Sequence, residues 1–207
     1  TFRYGGAALT MQTVRDCFKL DVERYVRVNF NVVSKAIGKI GGVDIELTQA
    51  EADHLNSTKK NYYESGSDIQ TVHAGTNHLN GDTAMAYARI RKIDSDWKRI
   101  ERQRAVIQAA INQVKNSDIF TLNALADAIL PMVQTNLTKA EITRLILEVP
   151  AFLSEGSKME QMTIPTYETC WNSVGVDGRK MIGVDFEANA QILKEFFYGV
   201  SDNNSVQ

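Results

Sequence analysis

The sequence has few of the features that mark a metal-stapled, membrane-spanning or nucleic-acid-coating protein. It has two cysteines, and neither stands in a C-x-x-C or histidine-rich setting, which argues against a zinc site. No run of 18 apolar residues occurs, so no segment is apolar enough to span a membrane. The pI is near 5.9, whereas domains that coat nucleic acid are basic. At 207 residues the chain can still bury a substantial core without disulfide or metal staples.

The beginning of the chain also lacks two features. It has no initiator methionine, and the first ten residues, TFRYGGAALT, contain no basic segment followed by an apolar one. A secretory signal peptide needs both segments, so these residues are not one. We expect the chain to begin inside a longer protein, whose targeting or anchoring segment would lie upstream.

The cysteines and histidines are widely separated in the sequence. Cys17 and Cys170 are predicted to be two separate thiols, although export from the cell would permit a disulfide between them. The three histidines, His54, His73 and His78, stand in polar surroundings, where we expect surface positions.

Helical and strand patterns interleave along the chain. Apolar spacing and capping residues predict helices at 8–19, 31–40, 81–90, 95–116, 118–131 and 138–148, a short helix opened by the T-x-x-E pattern at 48–51, and a final helix capped by Asp185. Strands are predicted at 25–30, 41–47, 158–165 and 180–185, and a long mobile loop at 56–78. The predicted fold class is α/β: an α/β/α sandwich whose central mixed β-sheet is covered by helices on both faces, as one domain over residues 1–207.

One stretch, YARIRKIDSDWKRIERQR at 87–104, gathers positive charge. It holds seven cations and three acids, although the whole chain has a formal net charge of −2. The cations are Arg89, Arg91, Lys92, Lys98, Arg99, Arg102 and Arg104. Because the rest of the chain is acidic, this concentration of arginine indicates a local role for the charge.

The spacing within this stretch brings several polar side chains to one place. On the helix predicted from 95, Asp96, Arg99 and Gln103 follow an i, i+3, i+7 pattern and share one face. Arg89 and Arg91 precede them in an R-x-R arrangement. Three converging guanidinium groups suit a polyanion, because each presents a planar fork of donors to phosphate oxygens. Asp96 would hold an arginine in position or help to carry Mg²⁺, and Gln103 would donate to a phosphate oxygen.

Two other interpretations compete with a phosphate site. A helix of mixed charge is often a solvated face, stitched by pairs such as Asp96–Arg99 and Lys98–Glu101 that each contribute a few tenths of a kcal/mol. A basic helix also occurs in RNA-binding and DNA-binding proteins, but no aromatic platform or nucleic-acid motif accompanies these arginines.

Three segments in order resemble the LytR-CpsA-Psr family. HLNGDTAMAYARIRKIDSDWKRIERQRAVI at 78–107 is similar to the family's Leu-x-Gly turn, its Ala-Tyr-x-Arg-x-Arg motif, an acidic residue and Arg-x-x-Arg-Gln. YGGAALTMQTVRDCFKLDVERYVRVNF at 4–30 and AIGKIGGVDIEL at 36–47 resemble the upstream segments. The resemblance is close over 4–107 and looser afterwards.

The resemblance implies an extracytoplasmic bacterial enzyme on a membrane anchor. Such enzymes move a glycopolymer, of the teichoic acid or capsular polysaccharide type, from a polyprenyl-pyrophosphate carrier onto peptidoglycan, with Mg²⁺ as cofactor. The family's fold is an α/β/α sandwich with an apolar tunnel for the lipid, for which the helices at 31–40 and 118–131 are candidate linings. The resemblance assigns catalytic roles to Arg89, Arg91, Asp96 and Arg99, and pyrophosphate binding to Arg89, Arg91, Arg99 and Gln103.

The resemblance also implies that part of the site lies elsewhere. The family's Mg²⁺ ligands and further arginines lie on strands upstream of Thr1, so we expect no metal ligand in this chain and doubtful activity for it alone. A sheet edge left open by a missing strand would favour self-association. Two alternatives remain: a non-catalytic module that binds polyprenyl phosphate or cell-wall polymer, and a DNA-binding transcriptional attenuator.

Overall fold

A computed structural model describes the chain over residues 2–63, 66–153 and 160–199. Within these ranges the chain forms eight α-helices: α1 (Phe2–Phe18), α2 (Phe30–Lys39), α3 (Gln49–Tyr63), α4 (Gly81–Ala88), α5 (Asp96–Lys115), α6 (Ile119–Ile129), α7 (Lys139–Leu153) and α8 (Phe186–Tyr198). The same ranges contain six strands: β1 (Val26–Arg27), β2 (Val43–Leu47), β3 (Gly75–Leu79), β4 (Gln134–Thr135), β5 (Cys170–Val174) and β6 (Lys180–Val184). Every predicted helix is present.

The helices begin where the sequence places capping side chains. Thr48 and Glu51 form the predicted capping box of α3, because the Glu51 carboxylate accepts from both the backbone N–H and the hydroxyl of Thr48, at 2.9 and 2.8 Å. Thr138 and Glu141 repeat this geometry at α7. Ser95 caps α5 by accepting from the backbone N–H three residues later. These caps satisfy backbone donors that would otherwise have no partner within the helix.

The strands that the structure describes pair as three two-stranded antiparallel sheets, β1 with β4, β2 with β3 and β5 with β6. The predicted α/β class is confirmed, whereas the strands in these ranges pair two by two and not in one mixed sheet. One reason is that the predicted strand at 25–30 ends after two residues, because Asn29 caps α2 and Phe30 already belongs to that helix.

The described residues group into two compact units. The larger is formed by Val26–Met159, and the smaller joins the segment up to Tyr25 to the segment from Glu160 onward. The single domain expected from the sequence stays a prediction. In the smaller unit α1 packs against α8, where the rings of Phe18 and Phe186 meet edge to face at 5.7 Å. Cys17 and Cys170 are both free thiols.

The core of the larger unit lies on one face of the β2–β3 sheet. Val43, Ile45 and Leu47 alternate inward along β2, while Asp44 and Glu46 face solvent. The inward side chains pack against α2, α3, α4 and α5. This core positions the end of α4 and the start of α5, where the basic stretch lies. No helix among the residues described is both long and apolar enough to cross a membrane.

The loop predicted at 56–78 is shorter than expected: among the described residues, 66–74 form neither helix nor strand, and its mobility stays a prediction. Helix α3 continues to Tyr63, and β3 occupies Gly75–Leu79. The Asn56 amide both donates to the Val72 carbonyl at 2.8 Å and accepts from its N–H at 3.1 Å, and Ile69 is buried. These tertiary contacts organise a segment whose own sequence has little periodicity.

Two further predictions near the end of the chain need correction. Residues 160–165 form no strand, and positions 158 and 159 lie outside the described residues. Pro165 has no backbone N–H for a ladder, and Thr166 then opens a 3-10 turn at Tyr167–Thr169 through a capping box. No strand is predicted between 165 and 180, yet residues 170–174 form β5, which pairs with the correctly predicted strand β6.

Candidate functional site

The candidate site lies on α4, on the linker after it and on the first turns of α5. Asn80 caps α4 by accepting from the Thr83 N–H at 2.9 Å. Gly81 lies against α2 so closely that a Cβ there would be 1.9 Å from the Ser34 carbonyl oxygen. The Leu-x-Gly motif therefore fixes α4 against α2 by sterics, and Arg89 follows as the C-cap of α4.

Arg91 and Arg99 meet at the carboxylate of Asp96. The Oδ1 atom of Asp96 lies 3.4 Å from the Arg91 guanidinium and 2.9 Å from that of Arg99. The Arg91 side chain is 64% exposed and that of Arg99 is 25% exposed. The carboxylate thus holds two guanidinium groups side by side while leaving donors open to solvent, where an anion can reach them.

Arg89 faces an aromatic ring. Its Cζ atom lies 5.0 Å from the centroid of the Phe30 ring, within the range of a cation–π contact. Phe30 is the first residue of α2, and about half of it is exposed. The R-x-R pair is therefore divided: Arg91 joins the Asp96 carboxylate, and Arg89 stacks on Phe30.

An open apolar groove of about 520 Å³ begins at this ring. Its lining comes from the segment before α2 and from α2, α4 and α5: Val28, Asn29, Phe30, Val33, Met85, Ala88, Gln103, Val106 and Ile107. Gln103 follows Arg99 by one helical turn, so the two are neighbours on the surface of α5. The groove therefore lies next to the arginines gathered on Asp96. Of the helices expected to line a lipid cavity, α2 contributes Val33, whereas Leu125 of α6 packs against the core.

Arg102 points the other way, into the protein. Its side chain is 4% exposed, and its Nε donates to Glu51 Oε1 at 2.6 Å. Its other nitrogens donate to the Ile90 carbonyl and to the Asp94 carboxylate. Arg102 thus ties the linker that carries Arg91 to both α3 and α5.

This network shifts the protonation of its members. Burial raises the pKa of Glu51, but hydrogen bonds from Arg102 and Thr48 outweigh burial and hold that pKa below its ordinary 4.5. Burial, followed by the nearby Glu51 charge, raises the pKa of Tyr87 to about 12, so this phenol stays neutral. Glu51 and Arg102 are therefore a charged pair at neutral pH.

The residues described do not by themselves fit a Mg²⁺ site. They contain no cluster of three metal-ligating acids, imidazoles or thiols. The two acids of the linker, Asp94 and Asp96, are both bonded to arginines. Mg²⁺ prefers several oxygen ligands in octahedral geometry, and these two carboxylates do not supply them. The Mg²⁺ expected from the family resemblance stays a prediction.

The structure places the five predicted site residues in two adjoining groups. Arg91 and Arg99 both contact Asp96, and Arg89 and Gln103 lie at the groove beside them. Their assigned roles stay predictions. Sequence reasoning missed Phe30, and it did not distinguish buried Arg102 from its exposed neighbours. The i, i+4 spacing of Arg102 to buried Val106 is the signal that could have indicated an inward face.

Comparisons with known proteins identify relatives of this chain. The chain is 30% identical over 142 residues to the polyisoprenyl-teichoic acid–peptidoglycan teichoic acid transferase TagV of Bacillus subtilis, a match covering 66% of this chain and 34% of TagV. It is 32% identical over 145 residues to TagU of Oceanobacillus iheyensis, covering 69% of this chain and 41% of that protein. The chain thus spans less than half the length of these curated relatives.

The fold also matches solved structures. A structure described as TagT bound to LI-WTA superimposes with a TM-score of 0.67 at 25% identity, covering 96% of this chain and 70% of that chain. The family model described as the LytR_cpsA_psr family matches residues 1–197. The chain therefore belongs to the LytR-CpsA-Psr family.

Proposed function

We propose that this chain is part of a phosphotransferase that moves a glycopolymer from a polyprenyl-pyrophosphate carrier onto peptidoglycan. The observation that carries the proposal is the pair of guanidinium groups held on Asp96 beside an apolar groove. A lipid-linked pyrophosphate has the complementary form, a doubly charged head on a long apolar chain. The similarity to TagV and TagU, both named as teichoic acid transferases, supports the same class of reaction.

The arginines would act on the charge of the pyrophosphate. A sugar hydroxyl of peptidoglycan would attack the phosphorus that carries the glycopolymer, and the bond from that phosphorus to the bridging oxygen would break. Polyprenyl phosphate would leave with the bridging oxygen, and the proton of the attacking hydroxyl would pass to that phosphate. Such transfer depends on positioning and on neutralising phosphoryl oxygens, and Arg91 and Arg99 would supply that neutralisation. Asp96 would orient them, and Gln103 would donate to a phosphate oxygen.

The remaining parts of the proposal follow from the same chemistry. The lipid carrier and the peptidoglycan acceptor imply that the protein works at the outer face of the cytoplasmic membrane or in the cell wall. We include Mg²⁺ as a cofactor and an open sheet edge as a site of self-association, both as proposals.

A non-catalytic module that holds the lipid without turnover is the alternative, and it predicts binding without transfer. A DNA-binding attenuator has less support, because the chain has a formal net charge of −2 and no nucleic-acid motif accompanies the basic stretch.

A transfer assay with single substitutions tests the proposal. The donor is a disaccharide linked to farnesyl pyrophosphate, the acceptor is a soluble peptidoglycan oligomer, and mass spectrometry detects the phosphodiester product with Mg²⁺ present. Arg91→Ala should lower the transfer rate roughly 10²-fold, because one donor to a developing oxyanion is lost. Its unfolding free energy should change by less than about 0.5 kcal/mol, since the side chain is exposed.

Arg144→Ala is the matched control, because Arg144 is an exposed arginine on α7 paired with Glu148. It should leave the transfer rate unchanged. Donor binding without any product in the unsubstituted full-length protein would favour the binding module. Absence of both binding and product would overturn the proposal.

A further inference from the structure

The contact between Arg89 and Phe30 joins the basic stretch to the apolar groove. The Phe30 ring has the Arg89 guanidinium 5.0 Å from its centroid and is also part of the groove lining. Asn29 caps α2 by accepting from the Val32 N–H at 2.9 Å, and this bond fixes the backbone on which Phe30 stands. One aromatic side chain therefore touches both the cation and the space for an apolar chain.

The contact has an energetic consequence for an exposed arginine. A free arginine side chain samples many rotamers, and ordering it on a ligand costs up to about 2 kcal/mol of entropy. A ring face attracts the guanidinium and restricts it without occupying its N–H donors, since these lie in the guanidinium plane. Phe30 therefore leaves Arg89 able to bind an anion without first sharing a donor with an acid, whereas Arg91 and Arg99 each use a donor on Asp96 and keep the others for a ligand.

Resting on the proposed function, we propose that Phe30 is a positioning residue that holds Arg89 at the mouth of the groove. The ring sets the point at which the charged head of the substrate ends and its apolar chain begins. An amphiphile bound there would have its pyrophosphate on Arg89 and its first apolar segment against the Phe30 ring. Phe30 thus contributes to affinity for the head as well as for the tail.

Binding measurements with two probes separate these contributions. Calorimetric titration with inorganic pyrophosphate and with farnesyl pyrophosphate would compare Phe30→Leu, Phe30→Tyr, Arg89→Ala and the Phe30→Leu/Arg89→Ala double variant. Phe30→Leu should weaken the binding of both probes about two- to fivefold, the range expected for an exposed cation–π contact. Phe30→Tyr should bind both nearly as the unsubstituted protein does. The double variant should bind inorganic pyrophosphate no more weakly than Arg89→Ala alone, because the two side chains act together.

Phe152→Leu is the matched control, since Phe152 on α7 has the same 52% exposure as Phe30, and it should bind both probes normally. If Phe30→Leu weakens the binding of farnesyl pyrophosphate but not of inorganic pyrophosphate, Phe30 only lines the groove. That result would overturn the inference while leaving the proposed function intact. If the unsubstituted protein binds neither probe, the inference and the proposed function fail together. Phe30→Met is the second ring-free variant should Phe30→Leu not fold.

Discussion

At the scale of single residues, the basic stretch contains arginines of opposite character. Arg91 and Arg99 are held by a carboxylate that is itself exposed, so solvent screening keeps these pairs weak and their donors available. Arg102 is buried between Glu51 and Asp94, where removal of the cation would leave carboxylates without a partner. The exposed arginines Arg91 and Arg99 suit ligand binding, whereas the buried contacts of Arg102 stabilise the fold.

Arg102→Met should lower the unfolding free energy by about 3 kcal/mol, because the apolar stem is retained while the buried charge is lost. Denaturant unfolding at pH 7 measures this. Lys98→Met on the same helix is the control and should cost less than about 0.5 kcal/mol, since its pair with Glu101 is exposed. Equal costs for the two variants would show that the Arg102 network is not stabilising.

At the scale of secondary-structure elements, two glycines on neighbouring helices have opposite roles. Gly81 stands where α4 meets α2, and a Cβ there would overlap the Ser34 carbonyl oxygen at 1.9 Å. Gly38 lies within α2, and a Cβ there would have no heavy atom within 4 Å. Close approach therefore requires glycine at the first position, whereas nothing in the structure requires it at the second.

Gly81→Ala should destabilise the protein by about 1–3 kcal/mol, because backbone atoms must shift apart. Gly38→Ala should stabilise it by about 0.5–1 kcal/mol, because alanine is the better residue in a helix interior. Thermal and denaturant unfolding of the two variants provide the comparison. If Gly81→Ala and Gly38→Ala both lower the stability, α2 tolerates no added methyl group. Close contact between α2 and α4 would then not be what distinguishes the two glycines.

At the scale of the whole molecule, the free energy of unfolding depends on pH through two groups whose pKa values are shifted in opposite directions. The pKa of His78 is raised above 6.5, first by its hydrogen bond to Asp44 and then by that to the Gly41 carbonyl, both at 2.7 Å. Both neighbours are acceptors, so only the protonated imidazole donates to both. This contribution is complete below pH 6.5 and is lost as the pH rises through the folded pKa. The lowered pKa of Glu51 contributes above pH 4.5 and is lost as the pH falls through its folded value.

Both contributions are therefore complete between about pH 4.5 and 6.5, and stability should decrease on either side. His78→Gln should remove the decrease above pH 6.5, which we expect to be below about 1 kcal/mol because the pair is exposed. His54→Gln is the matched control and should leave this decrease in place. Denaturant unfolding from pH 4 to 8 tests both variants, and an unchanged profile in His78→Gln would refute the role of this imidazole.

Local patterns in the sequence predicted a large part of this architecture. The caps at Ser95, Thr48 and Thr138 act over three or four residues, so their residue types suffice to locate helix starts. The stripe of Asp96, Arg99 and Gln103 follows from helix periodicity alone. The α/β class and the position of the arginines on α5 could be derived in this way.

The tertiary structure decided what depends on contacts between distant segments. The pairing of Arg102 with Glu51 joins residues 51 positions apart, and the stacking of Arg89 on Phe30 joins two different helices. No local sequence pattern indicates either contact, because the direction of each side chain is set by the residues that pack beside it. The sequence alone therefore determined which charges are concentrated and on which helix, and only the packed structure decided which arginine is buried and which two share the exposed carboxylate next to the groove.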